Sequence, residues 1–149
     1  MARRGFSVRC ALVIPAPRRS STSSTRASVL LRREPGGKVV HDPRLTWNTE
    51  EVVKASGGGP ILSKSGHAFI KQRMREVDGV YGGEMSAHHY FRRFAYCDSG
   101  MIPWLVVAQI LSESGQPLSA LVGERIGLFP VSGERNYRVP DSKATIAAF

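Results

Sequence analysis

From Leu30 onward, apolar and polar residues alternate in short blocks that predict alternating strands and helices. Short apolar runs bounded by glycine, proline or polar residues are typical of β-strands. Four such runs occur, at 38–41, 60–63, 79–81 and 89–91. The longer segments between and after them have apolar residues three or four positions apart, which indicates helices. This alternation predicts an α/β layered domain.

Capping residues and glycines predict where the first helices begin and end. Asn48, with Glu51 three residues later, predicts a helix N-terminus, and the glycines at 57–59 predict the end of that helix. Ser65 predicts the cap of a second helix. The apolar residues on one side of this second helix are Phe69, Ile70 and Met74.

Two further helices are predicted after residue 97. Asp98 or Ser99 caps the first of them, and Gly115 ends it. Pro103 is compatible with its first turn. Apolar residues surround this helix on nearly all sides, so we expect it to be buried. Pro117 begins the next helix, whose single stripe consists of Leu118, Leu121, Val122, Arg125 and Phe129.

The net charge is +9, from 21 basic and 12 acidic residues, and its distribution decides what it means. Eight arginines precede the first acidic residue, Glu34, and they are Arg3, Arg4, Arg9, Arg18, Arg19, Arg26, Arg32 and Arg33. Without them, residues 34–149 are nearly neutral. A basic nucleic-acid-binding protein is an alternative that rests on the net charge alone. We expect neither nucleic acid nor a membrane as a partner.

Residues 1–29 predict a basic, disordered tail. They are rich in arginine and serine, contain no acidic residue and include the low-complexity run at 20–25. This composition imitates an organellar transit peptide. A disordered tail and a start codon upstream of a truncated reading frame are the alternatives.

Cysteine usage and hydrophobic run length indicate the compartment. Cys10 and Cys97 are too few for a disulfide framework and lack metal-ligand spacing. The longest uncharged apolar run, residues 99–112, is shorter than the roughly 20 residues of a transmembrane helix. We therefore expect reduced thiols and a cytoplasmic protein.

The segment that follows the third strand, GGEMSAHHYF at 82–91, carries the main candidate chemistry. Glu84 and Ser86 are two residues apart, so in an extended loop both side chains face the same way. A carboxylate beside a hydroxyl suits the vicinal hydroxyls of a sugar. His88, two residues further on, is a candidate proton acceptor near neutral pH. The alternative is a glycine-rich turn with solvated polar side chains.

Two other strand ends also carry polar residues of a ligand-binding type. Arg44 follows the first strand, and Lys64 and His67 follow the second. In open α/β sheets, ligands bind at strand C-termini, where helix N-termini favour anions. Arg44 and Lys64 are candidate phosphate contacts, and His67 is a candidate donor to an anionic oxygen. The alternative for each of them is an ordinary surface residue.

Four segments together resemble the third domain of the α-D-phosphohexomutase superfamily, in its phosphomannomutase/phosphoglucomutase branch. They are HDPRLTWNT (41–49), SKSGHAFIKQRMRE (63–76), YGGEMSAHHYFRRFAYCDSGMIPWL (81–105) and FPVSGERNYRV (129–139). The GEMS segment resembles the sugar-specificity loop of that family, except that most members have glycine at the position of Ala87. An alanine there is expected to stiffen the turn.

The resemblance and the four strand segments predict a three-layer α/β/α domain with a short mixed four-stranded sheet. This sugar-binding domain would span residues 30–139. It would follow the basic tail and precede the start of a linker, at 140–149, to an absent fourth domain.

The resemblance implies an enzyme that interconverts hexose 1-phosphate and hexose 6-phosphate, of mannose or glucose, through a phosphoserine and a bisphosphate intermediate. It implies that Glu84 and Ser86 bind the sugar 3- and 4-hydroxyls. Arg44 and His67 match ligand-contacting positions. His88 matches a histidine that assists proton transfer, so it is the candidate general base.

The family's phosphoryl-transfer segments have no match in this chain. They are a Ser-His-Asn-Pro phosphoserine loop, an Asp-Gly-Asp-Gly-Asp-Arg magnesium loop and an Arg-x-Ser-Asn-x-x-Pro phosphate loop. Phosphoryl transfer depends on metal and positioned charge. We therefore expect a sugar-recognition domain without its own metal site that is inactive alone. Mg²⁺ and the remaining mutase domains are expected for the full-length enzyme. The alternative is a non-catalytic interaction domain that pairs with a full-length mutase.

Overall fold

The computed structural model describes residues 29–44, 46–130 and 138–148. Its elements in chain order are α1 (Val29–Arg33), β1 (Lys38–His41), α2 (Thr46–Ala55), β2 (Gly59–Leu62), α3 (His67–Val77), β3 (Tyr81–Gly83), β4 (His89–Phe91), a 3₁₀ turn (Arg92–Phe94), β5 (Cys97–Asp98), α4 (Met101–Ser114), α5 (Leu118–Leu128) and α6 (Ser142–Ala147). The predicted tail up to residue 28, with Cys10, lies outside the described residues, as do residues 131–137 of the last family-like segment.

The strands form one mixed sheet in the order β2-β1-β3-β4-β5. β1 runs parallel to β2 and β3, and β4 runs antiparallel to β3 and β5. The four predicted strands are therefore confirmed, although β3 begins two residues later than the predicted run at 79–81. The sheet also has a fifth strand that we did not predict. β5 has two residues, both exposed, so no run of apolar residues marks it.

Helices cover both faces of the sheet, which confirms the α/β/α fold class. Val39, Tyr81 and Phe91 belong to a core cluster that includes residues of α1, α2, α4 and α5. Val40 and Tyr90 instead form a second cluster with Ile70 and Met74 of α3. Neighbouring strand residues point to opposite faces, so the two clusters are two layers separated by the sheet.

Two helix starts differ from the prediction. α2 begins at Thr46, so Asn48 lies inside the helix and is buried rather than capping it. Its side-chain oxygen accepts a hydrogen bond of 2.7 Å from Nε of Arg125 on α5. α3 begins at His67 after Gly66, with no side-chain cap, so Ser65 does not cap it. Asn48 therefore binds a residue that is 77 positions away in the sequence, and no local pattern shows this contact.

The prediction that α4 is buried was wrong for one side of the helix. Pro103, Val106 and Ile110 are buried, whereas Met101, Trp104 and Leu105 are 69%, 62% and 56% exposed. The predicted ends of this helix were closer to the structure. Ser99 Oγ accepts a hydrogen bond of 3.3 Å from the Ile102 N–H, and Gly115 ends the helix with φ of +64°.

The structure differs from the prediction at three further places. Val29, which we placed in the tail, lies in α1 and is buried. Phe69 is half exposed, so only Ile70 and Met74 of the predicted α3 stripe are in the core. The predicted linker segment contains α6, which has no buried residue. Among the described residues, no helix is both long and apolar enough to cross a membrane.

Candidate functional site

The carboxyl ends of β1, β2 and β3 meet at one edge of the sheet. His41 at the end of β1 is paired with Leu62 of β2 and with Gly83 of β3. The segments that follow these three strands carry the six predicted site residues, and they start side by side. The parallel pairing thus assembles one candidate site from three distant parts of the chain.

The segment 83–88, here called the site loop, is a tight turn and not an extended strand. The Glu84 N–H donates to the His88 carbonyl at 3.1 Å, and the Ala87 N–H donates to the Glu84 carbonyl at 3.2 Å. Glu84 is buried and Ser86 is exposed. Our expectation that these two side chains face the same way assumed an extended loop, and it was wrong.

Ala87 has a backbone conformation that is normally left to glycine. Its φ is +67°, in the left-handed region where a Cβ costs about 1 kcal/mol or more. This explains why glycine suits the position. The site loop of this chain is held in the turn by its hydrogen bonds despite that cost.

Protein donors hold both oxygens of the Glu84 carboxylate. Oε2 accepts from the Gly66 N–H at 2.9 Å, and Oε1 accepts from the Tyr90 hydroxyl at 2.5 Å. Burial, together with the Glu84 carboxylate, raises the pKa of Tyr90 far above its ordinary value, so the hydroxyl stays protonated and keeps donating. A carboxylate has about four acceptor positions, and these two donors occupy two of them.

Ser86 and His88 form a second pair at the surface of the site loop. Ser86 Oγ and His88 Nδ1 lie 2.9 Å apart. The His88 ring stacks on the Tyr90 ring, with centroids 6.4 Å apart. Nδ1 is therefore the ring nitrogen of His88 that Ser86 engages.

Asp42 connects Arg44 to the site loop, and sequence reasoning did not identify it as a site residue. Its Oδ2 accepts from the Met85 N–H at 2.8 Å and from Arg44 Nε at 3.0 Å, and its Oδ1 accepts from the Arg44 N–H at 3.0 Å. A guanidinium nitrogen of Arg44 also forms a short ion pair with Oδ2. Burial works to raise the pKa of Asp42, but the Met85 and Arg44 donors outweigh it and hold that pKa below its ordinary value.

The two remaining predicted residues are less closely joined to the site loop. Lys64 places its Nζ over the Phe69 ring, 5.7 Å from the centroid, and both residues are exposed. His67 is the first residue of α3 and is exposed. One turn later, Lys71 places its Nζ 5.7 Å from the centroid of the Tyr90 ring. Lys71 is therefore a cation near the site that the sequence analysis missed, and its four-residue spacing from His67 was the available signal.

No metal centre is built from these side chains. Among the residues that the structure describes, no group of three or more histidines, cysteines, aspartates or glutamates is placed to hold a metal ion. Both site carboxylates are engaged by hydrogen-bond donors of the protein itself. The site as described offers hydrogen bonds and positive charge to a ligand.

A family match agrees with the fold. The model of the phosphoglucomutase/phosphomannomutase α/β/α domain III matches residues 24–129. The chain therefore belongs to the phosphoglucomutase/phosphomannomutase family, of which it contains the α/β/α domain III.

The chain is also similar in sequence to individual proteins of this family. The chain is 63% identical over 121 residues to a protein named "Phosphohexose mutases" from Xanthomonas campestris pv. campestris (strain B100), covering 81% of this chain and 27% of that protein. It is 62% identical over 121 residues to a phosphomannomutase from Salmonella montevideo, covering 81% of this chain and 26% of the relative. The chain thus spans about a quarter of the length of these relatives.

A solved structure supports the fold. The crystal structure of a phosphoglucomutase/phosphomannomutase family protein from Burkholderia thailandensis superposes with a TM-score of 0.57 at 33% sequence identity. The match covers 62% of this chain and 20% of that one.

Proposed function

We propose that this chain binds the hexose part of mannose or glucose 1- and 6-phosphates, as the sugar-recognition domain of a phosphomannomutase/phosphoglucomutase. One observation carries the proposal. At one sheet edge, Asp42 joins Arg44 to the site loop through a bond of 2.8 Å from the Met85 N–H and a 3.0 Å bond from Arg44 Nε. A cation and a hydroxyl-binding carboxylate are thereby placed together.

Each site residue has a role that follows from its contacts. Glu84 accepts hydrogen bonds from the sugar 3- and 4-hydroxyls with the acceptor positions that Gly66 and Tyr90 leave. Ser86, exposed on the same loop and paired with His88, donates to or accepts from a sugar hydroxyl at the loop surface. His88 takes up or returns a proton at the sugar through Nε2.

The three basic residues at the edges of the site form the anion-binding part of the proposal. Arg44 donates to the phosphate with the guanidinium N–H groups that Asp42 does not use. His67, at the start of α3, lies where a helix N-terminus favours an anion. Lys64 is exposed and contacts Phe69, so its contribution is long-range attraction of the phosphate.

Catalysis is proposed only for this chain together with the other mutase domains. Those domains would supply the phosphoserine and the Mg²⁺ site, which neutralises charge on the transferring phosphoryl group. The part assigned to this chain is to orient the sugar so that its phosphorylated end reaches that site.

Binding of epimeric sugar phosphates tests the proposal. The ¹⁵N-labelled chain is titrated by NMR with the 1-phosphates of mannose, glucose and galactose. Mannose and glucose share the 3- and 4-hydroxyl configuration, so both should shift the amide signals of the site loop with similar affinity. Galactose 1-phosphate has an inverted 4-hydroxyl and should bind about tenfold more weakly, since it loses one hydrogen bond to a charged group.

A matched variant separates specific from electrostatic binding. Glu84→Gln should abolish the preference over galactose 1-phosphate, while Glu124→Gln, an exposed change on α5, should leave it intact. Equal affinity of the wild-type chain for all three phosphates would contradict the assignment of Glu84 and Ser86.

A coupled assay tests the catalytic part. The purified chain with mannose 1-phosphate, bisphosphate activator and Mg²⁺ should give no turnover above background, because its sequence has no match to the family's phosphoserine loop. Adding the other domains of a relative in trans should give measurable turnover. Turnover by the chain alone would contradict the proposal.

An interaction domain that pairs with a full-length mutase is the second candidate. The exposed side chains of Met101, Trp104 and Leu105 on α4 favour it, because such apolar stripes mark protein interfaces. Co-purification of a full-length mutase with the tagged chain, lost on Trp104→Ser, would support it.

A further inference from the structure

We infer that Asp42 is a positioning residue that holds the Arg44 guanidinium and the backbone of the site loop in a fixed relation. The inference rests on the proposed function, because it assigns Asp42 to the recognition of a ligand that carries both a phosphate and a diol. Asp42 contacts neither group itself and acts through Arg44 and Met85.

The contacts of Asp42 are those of a bridge between two segments. Oδ2 accepts at the same time from the Met85 N–H, at 2.8 Å, and from Arg44 Nε, at 3.0 Å. Oδ1 accepts from the Arg44 N–H at 3.0 Å. Asp42 is 3% exposed, whereas the Arg44 side chain is 44% exposed. A buried, fixed acid therefore orients a cation that solvent would otherwise leave mobile.

The bridge also fixes the diol-binding carboxylate. Met85 directly follows Glu84, so the bond from the Met85 N–H to Asp42 restrains the backbone that carries the Glu84 side chain. The carboxylate itself is held by the Gly66 N–H and the Tyr90 hydroxyl. Asp42 therefore restrains both Arg44 and the backbone next to Glu84.

The first test needs no ligand. Hydrogen exchange of the Met85 amide and of the Arg44 side-chain Nε–H is measured by NMR on the full 149-residue chain. Both should be protected in the wild type, and Asp42→Asn should accelerate both at least tenfold. Asp141→Asn is the matched control, since Asp141 also accepts two backbone N–H bonds, at 2.9 and 3.0 Å, at the start of α6. It should change neither rate.

The second test measures affinity for mannose 1-phosphate. Asp42→Asn and Arg44→Gln should each weaken binding about tenfold. The double variant should bind no more weakly than either single variant, because the two residues act through one bridge. Thermal unfolding will show whether Asp42→Asn is folded. If it is poorly folded, Asp42→Glu is the second variant, because it keeps the charge but displaces the acceptor oxygen. It should also accelerate exchange of the Met85 amide and weaken binding.

The outcomes separate the two proposals. The positioning role would be overturned if the Met85 amide and the Arg44 Nε–H exchange rapidly in the wild type. It would also be overturned if the losses of affinity caused by Asp42→Asn and Arg44→Gln add up in the double variant. A third outcome is that exchange at both N–H groups is slow in the wild type and fast in Asp42→Asn, while the chain binds no hexose phosphate. This result would confirm the bridge and contradict the proposed function. Unchanged affinity of both variants in a chain that binds would also overturn the positioning role.

Discussion

The Tyr90 hydroxyl and the Glu84 carboxylate form a buried hydrogen bond of 2.5 Å. Tyr90→Phe keeps the ring in the core and removes only this donor. We expect a loss of about 1–3 kcal/mol in the free energy of unfolding, because a buried charge loses a partner. Urea unfolding monitored by circular dichroism measures it.

Tyr96→Phe provides the matched control for this prediction. The Tyr96 hydroxyl donates to Asp78 at 3.1 Å in an exposed pair, so its removal should change the free energy of unfolding by less than about 0.5 kcal/mol. Equal effects of the two substitutions would show that the Tyr90 bond adds no stability of its own.

Asp42 should also make stability depend on pH in the acid range. Its pKa is lower in the folded chain than the ordinary 3.8, so its ionised form contributes stability above that value. The contribution is lost as the pH falls through the folded pKa. The difference in free energy of unfolding between wild type and Asp42→Asn should therefore be constant from pH 7 to about pH 5 and should shrink below pH 3.8. A difference that grows on acidification would contradict this assignment.

The residues at this candidate site differ in how easily the sequence shows them. Four candidate residues stand in short sequence segments whose residue types alone suggest ligand binding, and these are Arg44, Glu84, Ser86 and His88. Asp42 reaches Met85 across 43 residues, and only the parallel pairing of β1 and β3 brings them together. A hydrogen bond of that range leaves no local pattern, which is why the role of Asp42 could not be predicted.

At the scale of elements, β3 and α3 meet at a glycine. A Cβ at Gly82 would lie 2.5 Å from Met74 Sδ and 2.9 Å from Ile70 Cγ2. Gly82→Ala should therefore force the buried Met74 and Ile70 side chains to move and lower the free energy of unfolding by about 1–3 kcal/mol. Because the site loop follows β3, the amide signals of Glu84 and Met85 should shift in the same variant.

Gly123 on α5 provides the control, since nothing lies within 4 Å of a Cβ built there. Gly123→Ala should raise the free energy of unfolding by about 0.4–1 kcal/mol, because alanine narrows the unfolded ensemble. If both alanines destabilise the chain equally, close packing at Gly82 is not the cause.

β1 and β4 have the predicted bounds, whereas α2 and α3 do not start where we predicted, and the difference has a physical reason. A short apolar run between turn residues specifies a buried strand almost by itself, as β1 and β4 show. A helix start depends on which groups are free to cap it. Asn48 does not cap α2, because its side-chain oxygen accepts a hydrogen bond from Arg125. At the start of α3, the Gly66 N–H donates to the Glu84 carboxylate and not to a local capping side chain.

At the scale of the whole molecule, α4 presents an apolar surface to solvent. Met101, Trp104 and Leu105 lie within one turn of each other and are each more than half exposed. We expect the chain to self-associate at high concentration through this stripe. In sedimentation velocity experiments, the weight-average sedimentation coefficient should rise with protein concentration. Trp104→Lys should remove this rise.

Trp47→Lys is the control, because Trp47 is 76% exposed on α2 outside this stripe. It should leave the self-association unchanged. A monomer at all concentrations would mean that the stripe is inert in this chain. The burial pattern of α4 was not predictable, because its sequence is apolar on nearly all sides and only the packing against the sheet selects which side is covered.

The oxygen of Asp42 that serves both Met85 and Arg44 has a thermodynamic consequence. This oxygen orders both segments before a ligand binds, so the entropic cost of ordering them is met on folding and not on binding. For a hexose phosphate bound as proposed, Asp42→Asn would shift that cost to the binding step. The binding entropy of mannose 1-phosphate should therefore be less favourable for Asp42→Asn than for the wild type, which isothermal titration calorimetry measures.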